Sequence, residues 1–147
     1  MYPKLPISLL LLTFTAISGC SVPAKPQPTL PQQHEIIREQ LHIYCDFPLA
    51  SQHRLLEELT ARRFDLGRDL GLPLSDEPIQ VYLFENGARM AQFVQLFHPD
   101  FPSRRAFFVE TDTRLVVYAH WSDRVAEDLR HEITHGYLHN MVLHLPL

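Results

Sequence analysis

The sequence has few cysteines, the residues that can crosslink a small domain through disulfide bonds. It contains two cysteines, Cys20 and Cys45, among 147 residues. If the Cys20 thiol is covalently modified, Cys45 has no partner within the chain for a disulfide bond. No disulfide framework is therefore expected. With 46% hydrophobic and 20% charged residues, the composition is that of one globular domain and not of a disordered chain. We therefore expect a single modest core, in which Cys45 is a small buried residue.

Long apolar runs and clusters of basic charge are also missing. The apolar run at residues 7–17 would span roughly 16 Å as a helix, about half of the ~30 Å of bilayer hydrocarbon. It is therefore too short for a transmembrane helix. The thirteen basic residues are scattered among seventeen acidic ones, giving a net charge of −4. A nucleic-acid-binding surface requires a basic patch, so we expect no nucleic-acid partner.

The N-terminus has the features of an export signal. Lys4 precedes the apolar run, and a short run with a basic flank is typical of a signal peptide. The run closes with "ISGC", residues 17–20, which resembles the lipobox of bacterial lipoproteins. That resemblance implies a signal peptide over residues 1–19 and a lipid on the Cys20 thiol. The alternative is an ordinary secretory signal in which Cys20 is incidental.

A lipid on Cys20 would anchor the exported chain to a bacterial membrane, with its domain facing the periplasm or the exterior. Residues 20–35 are rich in proline and predict a semi-rigid tether. The remaining residues, 36–147, show no repeat and no second domain boundary. We therefore expect one domain held off the membrane by the tether.

Hydrophobic periodicity predicts three helices and four strands within that domain. Alternating apolar residues indicate a strand at 41–47, and a helix follows from a Ser51 cap to the stop signal at Gly71 and Pro73. The other predicted elements are a strand at 79–84, a helix through Met90 and Phe97 that ends near Pro99, a hairpin of 106–110 with 114–120, and a last helix from Ser122 or Asp123. The predicted order is β-α-β-α-β-β-α, an α+β fold.

The last helix carries "HEITH", the H-E-x-x-H pattern of hydrolytic zinc sites. Four residues make about one helical turn, so His131 and His135 share a face about 6 Å apart along the axis and can both bind Zn2+. Glu132 is then the candidate catalytic residue. In such sites the glutamate acts as general base on a zinc-activated water, which hydrolyses a peptide bond.

Several segments besides the five-letter motif carry a family resemblance. "EDLRHEITHGYLH", "VYLFEN", "RRAFFVETDTRLVVYAHWSDRV" and "DFPLASQHRLLEEL" resemble an uncharacterised bacterial family of secreted gluzincin-like domains, in the H-E-x-x-H zinc metallopeptidase clan. The similarity covers roughly residues 36 to 147. It implies a zincin-like fold with the active-site helix last, Zn2+ on His131 and His135, Glu132 as general base, and a peptide or protein substrate.

The resemblance also implies a third zinc ligand that this chain does not supply. In the family it is a glutamate in a W-L-D-E-G-x-A-E segment, which normally follows directly after an "LPL" such as residues 145–147. The sequence ends at Leu147, so we expect an incomplete site in a chain cut short before that helix.

Other residues within the chain are weaker candidates for the third ligand. His139 lies two turns past His131, about 12 Å along the axis, which is too far for one ion to bind both together with His135. His144 could return after a bend, and His120 ends a strand near the helix. Cys45 lies on the apolar face of a strand and is less favoured.

Two further functions stay open. The first is a truncated, non-catalytic zincin-like domain with a structural or interaction role. The second arises because "HGYLHNMVLH" approaches the H-G-x-L-H-(x5)-H signature of a bacterial metal-dependent endoribonuclease family, with His135, His139 and His144 as ligands. The last spacing is four residues here instead of five, and an exported chain is in the wrong compartment for RNA processing.

Overall fold

The computed structural model describes residues 27–50 and 53–143, which form an α+β fold of one mixed sheet and three helices. In chain order the elements are β1 (His34–Arg38), β2 (Leu41–Cys45), α1 (Arg54–Leu70), β3 (Ile79–Phe84), α2 (Gly87–Phe97), β4 (Ala106–Thr111), β5 (Arg114–His120) and α3 (Val125–Leu143). The predicted signal peptide, Cys20 and His144 lie outside the described residues. Across the described ranges, no helix combines the length and apolar character needed to cross a bilayer.

The sheet has the strand order β1-β2-β3-β5-β4. The three central strands, β2, β3 and β5, are parallel, and an antiparallel hairpin partner lies at each edge. Strand β4 is therefore an edge strand paired only with β5. Because alternate residues of an antiparallel strand direct their backbone groups away from the partner, β4 presents a row of N–H and C=O groups outward.

The sheet is covered on both faces. Helices α1 and α3 pack on the face that carries Leu41, Val81 and Val117, all fully buried. Helix α2 packs on the opposite face, against a row of aromatic side chains contributed by four strands in register: Tyr44, Tyr82, Tyr118 and Phe107. In α3 a Cβ on buried Gly136 would lie 2.9 Å from Ile79 Cδ1, so glycine allows the helix to approach β3 closely.

All seven predicted elements are present, and Cys45 is fully buried as expected. The structure adds one strand that was not predicted, β1, which begins at His34 inside the segment assigned to the tether. Only Ile36 in this strand is buried, so the alternation of buried and exposed residues is weak. The turn to β2 places Glu39 at φ 50 without the Gly or Asn that usually marks such a hairpin.

Two helix starts differ from the predictions. Helix α1 begins at Arg54 and its N-cap is His53, whose Nδ1 accepts from the Leu55 N–H at 3.2 Å. The predicted cap, Ser51, lies outside the described residues. Helix α3 begins at Val125, because the preceding residues form a turn in which the Val125 N–H donates to Ser122 O. The predicted end of α1 is confirmed, since Gly71 adopts the left-handed conformation at φ 65.

Candidate metal centre

The two histidines of the H-E-x-x-H pattern lie side by side on α3. Their Nε2 atoms are 3.1 Å apart, and both residues are exposed to solvent. Two nitrogens bound tetrahedrally to one zinc ion at about 2.1 Å lie about 3.4 Å apart. The pair His131 and His135 therefore has nearly the spacing of two zinc ligands. The same distance fits a hydrogen bond between two neutral imidazoles, one ring donating and the other accepting.

Within residues 27–50 and 53–143, no third donor lies beside these two histidines. No three His, Cys, Asp or Glu side chains in these ranges are grouped closely enough to hold a metal. His139 Nε2 instead lies 3.2 Å from Glu110 Oε1. His120 packs its ring against Gly87 and contacts Trp121 O through Nδ1. Cys45 is buried, with its Sγ 3.9 Å from His34 O.

The same placement bears on the ribonuclease alternative. Of the three histidines in that signature, His139 is paired with Glu110, and His144 lies outside the described residues. His135 contacts His131, which is not part of that signature. The structure therefore describes two of the three histidines of that signature, and one of these two, His139, contacts a carboxylate.

Glu132 is directed toward the sheet edge. Its Oε2 accepts a hydrogen bond from the backbone N–H of Phe108 at 2.8 Å. This N–H belongs to the outward row of β4, so without Glu132 it would need water or another partner. The residue predicted as general base thus also makes a structural contact, through one of its two carboxylate oxygens.

On either side of Glu132, two more polar contacts join α3 to β4 and to the residue that precedes it. Arg105 donates two hydrogen bonds of 2.8 Å to the Asp128 carboxylate, one turn before the histidines. This bonding holds the pKa of Asp128 below its usual range. Towards the other end of β4, Glu110 contacts His139. Helix and edge strand therefore run side by side, with three polar contacts along one flank of α3.

An apolar groove of about 420 Å³ lies next to His135. Phe108 forms one side of it, with its ring centroid 6.4 Å from that of His135. Leu138, His139, Val142 and Leu143 of α3 form the rest, and the last two are more than half exposed. The histidine pair is thus bordered by a largely apolar surface open to solvent.

Two residues that hold this helix, Phe108 in β4 and Arg105 just before β4, were not predicted from the sequence. Phe108 and Glu132 are 24 residues apart, and Arg105 and Asp128 are 23 apart. The partner of Asp128 is Arg105. No periodic signal links these positions, because the contacts depend on which strand lies at the sheet edge.

Comparisons with protein-family models, with curated proteins and with solved structures found no match to this chain. Proposals about its function therefore rest on the arrangement of its own residues.

We expect the Glu132 contact to contribute measurably to stability. Glu132→Ala removes the acceptor and leaves the Phe108 N–H unpaired, so the free energy of unfolding should fall by about 1–2 kcal/mol. Glu132→Gln keeps a carbonyl oxygen that can accept the same bond and should lose about half as much or less. Urea denaturation of the purified variants measures both values.

Glu127→Ala is the matched control, because Glu127 is an exposed residue of the same helix whose ion pair is with nearby Arg124. Its effect should stay within about 0.5 kcal/mol. Equal losses in Glu132→Ala and Glu127→Ala would show that the bond to Phe108 does not stabilise the fold.

Proposed function

We propose that this chain is a zinc-dependent, metallopeptidase-like lipoprotein of zincin type, in which Glu132 is the general base for peptide-bond hydrolysis. The observation that carries the proposal is the 3.1 Å approach of two exposed Nε2 atoms, from His131 and His135, on the helix that also bears Glu132. Imidazole nitrogens are common zinc ligands, and solvent exposure leaves coordination positions open for water and substrate.

The roles of the individual residues follow from their contacts. His131 and His135 would hold Zn2+, which when bound supplies a water of lowered pKa and polarises a substrate carbonyl. Glu132 Oε2 is held by the Phe108 N–H, and no hydrogen bond engages its Oε1 within the described chain. That arrangement orients the carboxylate while leaving one oxygen to accept a proton and return it to the leaving amine.

The surroundings of the pair support a peptide as the substrate class. Apart from the Phe108 N–H, which donates to Glu132, the outward backbone groups of β4 offer an extended peptide partners for adding as a further strand. The apolar groove beside His135 offers a surface for one substrate side chain. Binding along β4 would bring a peptide past both the histidines and Glu132.

A second candidate is a non-catalytic domain of the same fold with a structural or interaction role. Two observations favour it. Asp128, Glu132 and His139 all have partners on β4 or directly before it, and no third metal ligand is grouped with the histidine pair in the described ranges. Under this alternative the H-E-x-x-H residues serve to hold α3 to the sheet, and removing the histidines changes no activity.

Metal analysis combined with a peptidase assay separates the two candidates. The chain, dialysed against trace zinc, should retain about one equivalent, because its ligands lie on a rigid helix. His131→Ala should lose the zinc and the activity. Glu132→Gln should keep most of the zinc and lose peptide hydrolysis by about 100-fold or more, since it removes the base.

His34→Ala is the control for general effects of histidine removal, because His34 is exposed on β1, away from α3. It should keep both zinc and activity. Absence of zinc from the parent chain, or equal zinc in the parent and His131→Ala, would contradict the proposal. Unchanged hydrolysis in Glu132→Gln would remove Glu132 from the mechanism.

We further propose that the chain is exported and anchored through a lipid on Cys20, with residues 20–35 as the tether. More than one acyl chain is needed for stable anchoring, and lipoprotein processing supplies them. Cys20→Ser should move the protein from the membrane fraction to the soluble fraction, while Cys45→Ser should not. Membrane fractionation unchanged by Cys20→Ser would exclude the lipid anchor.

A further inference from the structure

A larger cavity lies apart from the histidine pair. It has a volume of about 800 Å³, is open to solvent on one side, and is bordered by α2, the segment 98–105, and the adjoining ends of β4 and β5. Its lining includes Asp128 but none of His131, Glu132 and His135. Ligand sites in proteins typically have volumes of about 300–1,000 Å³, so the cavity is large enough for a small organic molecule.

One side of the cavity is apolar. Met90 and Val94 of α2 contribute to it, and both are at least nine-tenths buried. Phe101 and Phe107 contribute two aromatic rings that meet edge to face at 5.2 Å. Such a wall favours the apolar body of a ligand, because burying it removes apolar area from water on both partners.

The other side carries an unbalanced positive charge. Arg104, Arg105 and Asp128 line it, and two positive charges against one negative leave a net charge of +1. Arg105 is already neutralised by its two hydrogen bonds to Asp128. Arg104 has no ion pair within the described part of the chain, so its guanidinium is available to an anion.

Two imidazoles add polar groups to the same lining. His120 Nδ1 lies 3.2 Å from Trp121 O, so this nitrogen donates and its ring is fixed in orientation. The ring lies against Gly87, where an added Cβ would be 3.3 Å from Nε2. His98 stacks on Phe101 with ring centroids 4.9 Å apart. Hydrogen-bond donors and aromatic rings thus line one cavity. Among the described residues that line it, Asp128 is the only one with a carboxylate.

From this arrangement we propose that the cavity binds a small organic anion with an apolar body, such as an aryl or alkyl carboxylate or sulfonate. The anionic group would pair with Arg104, and the apolar body would lie against Met90, Val94 and Phe101. This site is independent of the proposed zinc chemistry. It requires neither the metal nor the histidine pair.

A pair of fluorescent probes with the same aromatic body tests the proposal. 1-Anilinonaphthalene-8-sulfonate carries the anion, and N-phenyl-1-naphthylamine lacks it. The full chain should bind the sulfonate in the cavity more tightly than the neutral probe. Arg104→Gln should weaken sulfonate binding by about threefold to fivefold, as expected for a partly exposed ion pair, and should leave the neutral probe unaffected.

Ala91→Trp should abolish cavity binding of both probes, because Ala91 is an exposed residue of α2 whose enlarged side chain would fill the cavity without entering the core. Arg124→Gln is the charge-matched control outside the cavity, and Val142→Gln removes part of the separate groove beside His135. Both should leave sulfonate binding unchanged. Circular dichroism checks that each variant is folded.

Three results would overturn the proposal. They are no saturable binding of the sulfonate, equal affinity for both probes, and a sulfonate affinity insensitive to both Arg104→Gln and Ala91→Trp. Loss of binding in Val142→Gln alone would place the probe in the groove beside His135 instead, which also overturns it.

Discussion

The hydrogen bond between the Phe108 N–H and the Glu132 carboxylate fixes α3 against the open edge of the sheet. An edge strand presents backbone groups that attract other strands, and proteins usually cover or pair them. Here α3 packs on the sheet face next to this edge, and its Glu132 carboxylate satisfies one of the outward N–H groups. Arg105 with Asp128 and Glu110 with His139 extend the same contact along the strand.

This contact, together with the core, determines where the remaining side chains of α3 point. Ile133 and Tyr137 are fully or nearly fully buried against the sheet and α1, and the Tyr137 hydroxyl donates to Leu59 O. At about 100° per residue, His131 lies about 160° around the helix from Ile133 and so faces solvent. The two candidate ligands are therefore exposed on a helix held rigidly from two sides, by the core and by β4. Rigid support of this kind is what a metal site needs for fixed ligand geometry.

Local sequence patterns were sufficient to predict most of the elements and the relation between the two histidines. The i, i+4 spacing alone places His131 beside His135, and alternation alone identifies β2 and β3. Strand β1 was not predicted, because the turn that follows it lacks the usual sequence signal. Glu39 in this turn adopts a left-handed conformation that usually requires Gly or Asn. The partners of Glu132 and Asp128 could not be predicted either, since they depend on β4 being the edge strand, a property of the strand order and not of local sequence.

The proposal that His131 and His135 jointly bind one zinc ion on α3 can be tested directly. Diffraction from crystals of the zinc-loaded chain, recorded on both sides of the zinc absorption edge, locates the metal independently of any activity. We predict one anomalous peak about 2.1 Å from the Nε2 atoms of both His131 and His135, with Glu132 outside the coordination sphere. Absence of a peak at this pair would contradict the proposed zinc site. A peak from a metal bound by His135 and His139 without His131 would contradict it as well.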